Sequence, residues 1–254
     1  MEFEYFIIPL LILAGFMSGF INTLAGNGSV FTLSLLLFLD IPVHLANGTN
    51  RVGALTQSVT SVLSFRKDNR FQALIKEGWW YTIPTVIGAI LGAWASNYVE
   101  AAYFKWIIVA LMIFILFLVL AKPKRWLKEV QEEVERKTVA NVLMLLGIAF
   151  YAGFIQMGMG VLYLSTFVLA FRYTLLQSNM IKIMLTVFMI VPALAIFIYQ
   201  DLVRWDYGIS LAFGQSIGAY IATKFALESK TASTYVRYIL IAMISISIVK
   251  LSFF

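Results

Sequence analysis

Apolar runs of bilayer-spanning length, separated by short polar breaks, fill almost the whole chain. Windows of about 20 apolar residues place long segments at Tyr5 to Ala25, Trp79 to Tyr98, Phe104 to Ala121, Val139 to Met157, Met180 to Tyr199, Tyr207 to Leu227 and Tyr238 to Phe254. Two runs are much shorter. Val30 to Leu39 and Val161 to Ala170 would each reach about 15 Å as α-helix, half of a hydrocarbon core about 30 Å thick. Arg51 to Phe65 is intermediate. A helix that ends inside a bilayer needs protein or a water-filled cavity to satisfy its freed backbone groups. Short pieces beside glycine-rich breaks are therefore where a pathway is expected.

The pattern occurs twice. Gly15, Gly26 and Gly28 recur as Gly147, Gly158 and Gly160, each 132 positions further on. Gly48-Thr49-Asn50 is matched by Gln177-Ser178-Asn179, Gly88-Ala89 by Gly218-Ala219, and Lys105-Trp106-Ile107 by Arg237-Tyr238-Ile239. Residues 1–121 read as a first membrane repeat and 138–254 as a second. The join, 122–137 (KPKRWLKEVQEEVERK), is mixed in charge with apolar residues at helical spacing, as in an interfacial amphipathic helix.

Composition agrees with the pattern. Hydrophobic residues make up 61% and charged ones 13%, against roughly 25% charged in soluble domains. The fold class that follows is an all-α polytopic membrane protein: an inverted-repeat bundle of about 8–10 membrane segments, some of them short or re-entrant. The net charge of +6 serves topology here, and no solvated basic face with aromatic platforms is available for nucleic acid. Cysteine is absent, which excludes disulfide frameworks and thiolate metal sites. The N-terminal Met1-Glu2-Phe3-Glu4 carries acid where a secretory signal carries base, so the first run reads as a retained span.

Basic residues orient the bundle. With the linker in the cytoplasm, 15 of the 19 Lys and Arg fall on the cytoplasmic side, and Arg51, Lys105, Arg204 and Lys250 on the other. Each repeat then holds five segments, an odd number. The second copy enters from the opposite side, and both termini are expected outside the cell membrane, the inner membrane of a bacterium.

The candidate site residues cluster at the breaks. Gly26-Asn27-Gly28-Ser29 opens one short piece, and Gly158-Met159-Gly160 opens its duplicate. Glycine permits turns and close backbone approach. Thr49, Asn50, Ser178 and Asn179 are good N-cap types and are expected to start the helices that follow. Helix N-termini arriving from opposite repeats would aim positive dipole ends and free N–H groups at a common centre, which suits an anion. Arg51 follows Asn50, and Lys182 lies three residues after Asn179. Cations in membrane segments are functional candidates, although both can instead snorkel to headgroups from helix ends. Asp40 and His44, one helical turn apart, form either a proton relay or ordinary interfacial caps. Gly88, Gly92, Gly218 and Ala222 read as a small-residue packing face, and Trp79, Trp80, Trp205 and Tyr207 as an aromatic belt.

Enzyme signatures such as HExxH, a P-loop or a Gly-x-Ser-x-Gly elbow are missing. One histidine and no cysteine leave few ligands for a metal, and no cofactor is implied.

A Gly-x-x-x-Gly ahead of a Gly-x-Gly break, a short apolar helix, then Pro-x-His-x-Ala-x-Gly-Thr-Asn, all repeated halfway along, resembles the TauE/SafE family of sulfite and organosulfonate exporters. The resemblance covers essentially the whole chain. It implies a polytopic inner-membrane transporter of sulfur-containing oxyanions or related small anions, without ATP hydrolysis of its own. It also implies that Gly26, Gly28, Thr49, Asn50 and their second-copy counterparts lie around the site. Asn27, Ser29 and Met159 depart from the family's more glycine-rich breaks and would add donors or narrow the site.

The function expected is a secondary carrier of a small anion, by alternating access about a site between the repeats, with a proton or another ion as coupling partner. A passive anion channel and a non-transporting membrane scaffold are the rivals.

Overall fold

The computed structural model describes residues 2–100 and 138–228, together with Tyr103 and Ile113. The expected segments Phe104 to Ala121 and Tyr238 to Phe254 and the linker 122–137 lie outside the described residues.

The described residues form eight α-helices and no strand. They are α1 (Glu2–Ala25), α2 (Ser29–Phe38), α3 (Val43–Phe65), α4 (Asn69–Ala95), α5 (Val139–Phe154), α6 (Met159–Leu169), α7 (Leu175–Tyr199) and α8 (Trp205–Glu228); a short 3-10 turn, Ser96–Tyr98, follows α4. The order long, short, long, long occurs twice. α2 and α6, with 10 and 11 residues, are the short pieces anticipated from the apolar runs. Phe6–Ala25 and Leu175–Tyr199 are long and apolar enough to cross a bilayer, and many large apolar side chains face outward, among them Phe6, Leu13, Ile83 and Ile209. This is a polytopic membrane helix bundle.

Backbone conformation recurs with the sequence. Gly26 and Gly158, 132 apart, have φ of 79° and 74°. Asp40 and Arg172, also 132 apart, have φ of 57° and 60°. Both short helices are thus entered through a left-handed glycine and left through a left-handed polar residue.

Three helices, α3, α4 and α7, start five or more residues earlier than the apolar runs suggested. α3 begins at Val43, eight residues before Arg51, so Thr49 and Asn50 lie inside the helix and cap nothing. The polar Asn47-Gly48-Thr49-Asn50 stretch stays helical because its faces are buried against other helices, where tertiary bonds outweigh its weak propensity. α4 begins at Asn69, ten residues before Trp79, capped by Asp68, whose side chain accepts from Arg70 N. In α7 the cap is Thr174, in a capping box with Gln177, leaving Ser178 and Asn179 within the first turns.

The copies interlock. The most extensive contacts join α1 to α8 and α4 to α5; next come α3 with α8 and α4 with α7, and α3 packs on α7. Each pairing between first and fourth, or third and fourth, helices therefore has a mirror partner, with the two third helices side by side at the centre. Small residues allow this. A Cβ at Gly15 or Gly19 would run into the α8 backbone, and one at Gly214 or Gly218 into α1. Gly88 and Gly92 meet α5 in the same way, and Ala222 is buried, so the packing face read from sequence is a helix interface.

Candidate substrate site at the two helix breaks

The chain leaves α1 at Ala25 and re-enters helix at Ser29; it leaves α5 at Phe154 and re-enters at Met159. Both breaks are buried, and they touch. A Cβ on Gly26 would overlap the Gly160 backbone, and one on Gly160 the Gly26 backbone. Gly28, the residue before α2, is pressed against Ser18 O and Asn22. Only glycine permits an approach this close.

At each break the third helix of the other copy donates to helix-end carbonyls, at the first break to a carbonyl, Asn22 O, that also accepts from Gly26 N at 3.0 Å. Asn22 O, near the end of α1, accepts from Lys182 Nζ at 2.8 Å. Its duplicate, Phe154 O, accepts from Asn47 Nδ2 at 2.9 Å. Arg51 Nη2 adds bonds to Gly153 O at 2.5 Å and Ala152 O at 3.3 Å, and its guanidinium lies 4.6 Å from the Phe197 ring centroid. Arg51 and Lys182 are 0% and 3% exposed. Neither snorkels: both cations close the C-terminus of a helix in the opposite copy, where the macrodipole favours positive charge.

Around the second break a closed network forms. Asn50 Nδ2 donates to Gln156 Oε1 at 3.1 Å, and Asn50 Oδ1 accepts from Thr32 Oγ1 at 2.5 Å. Tyr151 Oη holds Met157 O at 2.6 Å, and Ser29 Oγ reaches Gln156 O at 3.5 Å. Asn50 therefore ties α2, α3 and the second break together.

Around the first break lies a polar cavity, with about 250 Å³ of empty space and room for about one water. Asn22 and Thr23 of α1, Gln57, Ser58 and Ser61 of α3, Met159 and Gly160 at the start of α6, and Lys182, Ile183 and Thr186 of α7 line it. Thr23 and Ser61 share a hydrogen bond of 3.3 Å. A second cavity, between Leu33, Leu37, Val43, Ala46, Asn47, Ile155 and Met157, is almost wholly apolar.

Of the residues singled out in sequence, Lys182 and Gly160 share the polar cavity, Gly26 abuts it, and Asn50 and Arg51 belong to the network at the other break. Asn27 is buried with Oδ1 unpartnered among the described residues. Thr49 Oγ1 donates to Leu45 O and accepts from Arg204 N. Gly158 turns the chain into α6. Ser178 and Asn179 are buried but line neither cavity. Asp40 sits on the exposed turn after α2, and His44 in the first turn of α3, half-buried.

Sequence reasoning missed Asn22, Thr23, Gln57, Ser58, Ser61 and Thr186 at the first break, and Thr32, Asn47 and Gln156 at the second. The signal for part of them was available: Gln57, Ser58 and Ser61 recur at helical spacing inside a run otherwise read as apolar, so they share one face.

The sulfite exporter TauE/SafE family model matches residues 11–251. The chain is 26% identical over 226 residues to the probable membrane transporter protein ORF9 of a Sinorhizobium species, covering 89% of this chain and 85% of that protein. It is 22% identical over 241 residues to a probable membrane transporter protein of Haemophilus influenzae, with 93% and 91% covered. Against the probable membrane transporter protein YfcA of Escherichia coli K12 it is 24% identical over 225 residues, with 87% and 81% covered. No solved structure matches it. A bundle of duplicated helices broken at glycines, matched by one family model over nearly its whole length and by relatives named as membrane transporters, belongs to the sulfite exporter TauE/SafE family.

Proposed function

We propose that this membrane transporter is a secondary carrier of a small anion, sulfite as in the family description or a related organosulfonate, working by alternating access about the paired helix breaks. The observation that supports this most directly is the reciprocal capping: a cation on the third helix of each copy holds the broken helix of the other. Such bonds run between copies, so rocking one copy against the other must remake them. Buried positive charge, side-chain amides that can turn an N–H toward a ligand and abutting glycine backbones are what an oxyanion needs for charge, hydrogen-bond donors and close approach. The site set comprises Gly26, Asn27, Gly28, Thr49, Asn50 and Arg51 from the first copy and Gly158, Gly160, Ser178, Asn179 and Lys182 from the second. A proton or other ion is the coupling partner, and Asp40 with His44 is the candidate relay.

Reconstituted protein tests the reading. Liposomes preloaded with an alkanesulfonate should take up labelled alkanesulfonate by counterflow, at carrier rates. Flux far above carrier turnover without counterflow would make the protein a channel. No anion flux at all from folded protein would leave the scaffold reading.

A further inference from the structure

The two cations are not equivalent, and the difference assigns the anion to one break. By the spacing of the duplicate, Arg51 corresponds to Met180, and Lys182 to Gly53. Arg51 spends Nη2 on two helix-end carbonyls and faces the Phe197 ring; its Nε and Nη1 have no partner among the described residues, but it lines neither described cavity. Among the described residues the Lys182 ammonium has one bond, to Asn22 O, and Lys182 lines the polar cavity. An ammonium offers three donors. Among the described residues no carboxylate lines that cavity, and the one titratable side chain in its lining is Lys182 itself. A buried charge with no counter-charge is costly in a bilayer. A ligand of opposite sign removes that cost.

The rest of the lining agrees. Gln57 is 3% exposed and its Oε1 has no partner among the described residues; at an amide, oxygen and nitrogen are interchangeable by a flip, so Gln57 can present a donor. Ser58 and Thr186 donate to the carbonyls four residues earlier, bonds that supplement the helix and can be exchanged for a ligand at little cost. In α7 the counterparts of Ser58 and Ser61 are Val187 and Ile190, while Thr186, the counterpart of Gln57, lines the same cavity, so the second copy repeats only one position of this polar face. Room for about one water makes the described conformation a closed one. Met159, a flexible side chain in the wall, is the group that must move.

We propose that the cavity between Lys182 and the Gln57-Ser58-Ser61 face of α3 is the anion-binding site of this carrier, and that it takes a singly charged oxyanion. One formal positive charge neutralises a monoanion, whereas a dianion would leave a net negative charge buried among neutral donors. The inference rests on the anion-carrier reading and adds which break binds, through which residues, and at what charge.

The test is thermal stability and flux of the purified full chain with ethanesulfonate and with sulfate. Wild type should gain thermal stability with ethanesulfonate and far less with sulfate. Lys182→Gln should weaken ethanesulfonate binding by about tenfold or more, the scale of a charge-assisted hydrogen bond, with smaller losses for Gln57→Ala. Because the chain has no cysteine, Ser61→Cys supplies a single thiol whose maleimide labelling ethanesulfonate should slow, a readout that survives if Lys182→Gln fails to fold. Retained ethanesulfonate binding in folded Lys182→Gln, unprotected labelling at Ser61→Cys, or stronger stabilisation by sulfate overturns the inference while leaving the carrier reading intact. Absence of any anion binding or flux in wild type overturns both.

Discussion

At the scale of single residues, glycine decides what the breaks can be. Gly26 combines a left-handed backbone, φ 79°, with a contact that a Cβ would turn into overlap with Gly160. Gly26→Ala should cost about 1–3 kcal/mol or more, combining strain and steric displacement. Gly147, with nothing within 4 Å of a built Cβ, is the control: Gly147→Ala should be neutral or stabilising by at most about 1 kcal/mol. Thermal unfolding of the two variants in detergent checks the contrast, and equal melting temperatures would contradict it. The break glycines were legible in sequence because they recur at 132 residues. Their mutual contact was not, because no local pattern records which two backbones meet. Asp68 makes a separate, local prediction. Hydrogen bonds donated by Arg70, from its guanidinium above all and also from its backbone N–H, hold the Asp68 carboxyl below the ordinary carboxylate value. A lowered folded pKa means stability that is present above the unfolded value of about 3.9 and is lost as pH falls through the folded one. Asp68→Ala should remove this acid-side loss along with the N-cap, and a pH series of melting temperatures for the two proteins measures it.

At the scale of elements, Arg51 and Asn47 act as the end of α5. The last carbonyls of that helix, Ala152, Gly153 and Phe154, find their donors on α3, not in their own turn. Arg51→Gln should therefore fray the end of α5 and lower stability by about 1.5–3 kcal/mol, the range for a hydrogen bond from a charged group, instead of simply weakening ligand binding. Hydrogen exchange of the amides from Tyr151 to Met157 should accelerate in that variant, and unchanged protection there would remove Arg51 from the cap. Sequence made Arg51 a candidate for its charge in an apolar run. It could not distinguish a cap from a ligand group, because the distinction depends on carbonyls about 100 residues away. The same reason explains the misplaced starts of α3 and α7. Asn and Thr favour caps locally, yet Thr49 and Asn50 remain helical because distant groups satisfy them.

At the scale of the whole molecule, the exchanged packing of first with fourth and third with fourth helices accounts for why two similar units cannot work independently. The duplicate positions Asp40 and Arg172 share a backbone conformation and differ in charge. An acid at one membrane face and a base at the other is the arrangement expected if the copies are inverted, with cations gathered on the cytoplasmic side. Reporter fusions test it: one at Phe254 should read outside and one within 122–137 should read cytoplasmic. A cytoplasmic signal at Phe254 would contradict the odd-numbered repeat.

The sequence by itself determined the class, the duplication, the two short helices and the glycine breaks that open them. These follow from apolar run length, residue spacing and backbone freedom, all of which are local or periodic. Only the tertiary structure decided which break faces which helix, that Arg51 and Lys182 cap the opposite copy, and that the polar face of α3 encloses a cavity beside Lys182. Those depend on hydrogen bonds between residues 101 to 160 positions apart, whose partners are fixed by how the two copies interlock and leave no mark in the neighbouring sequence.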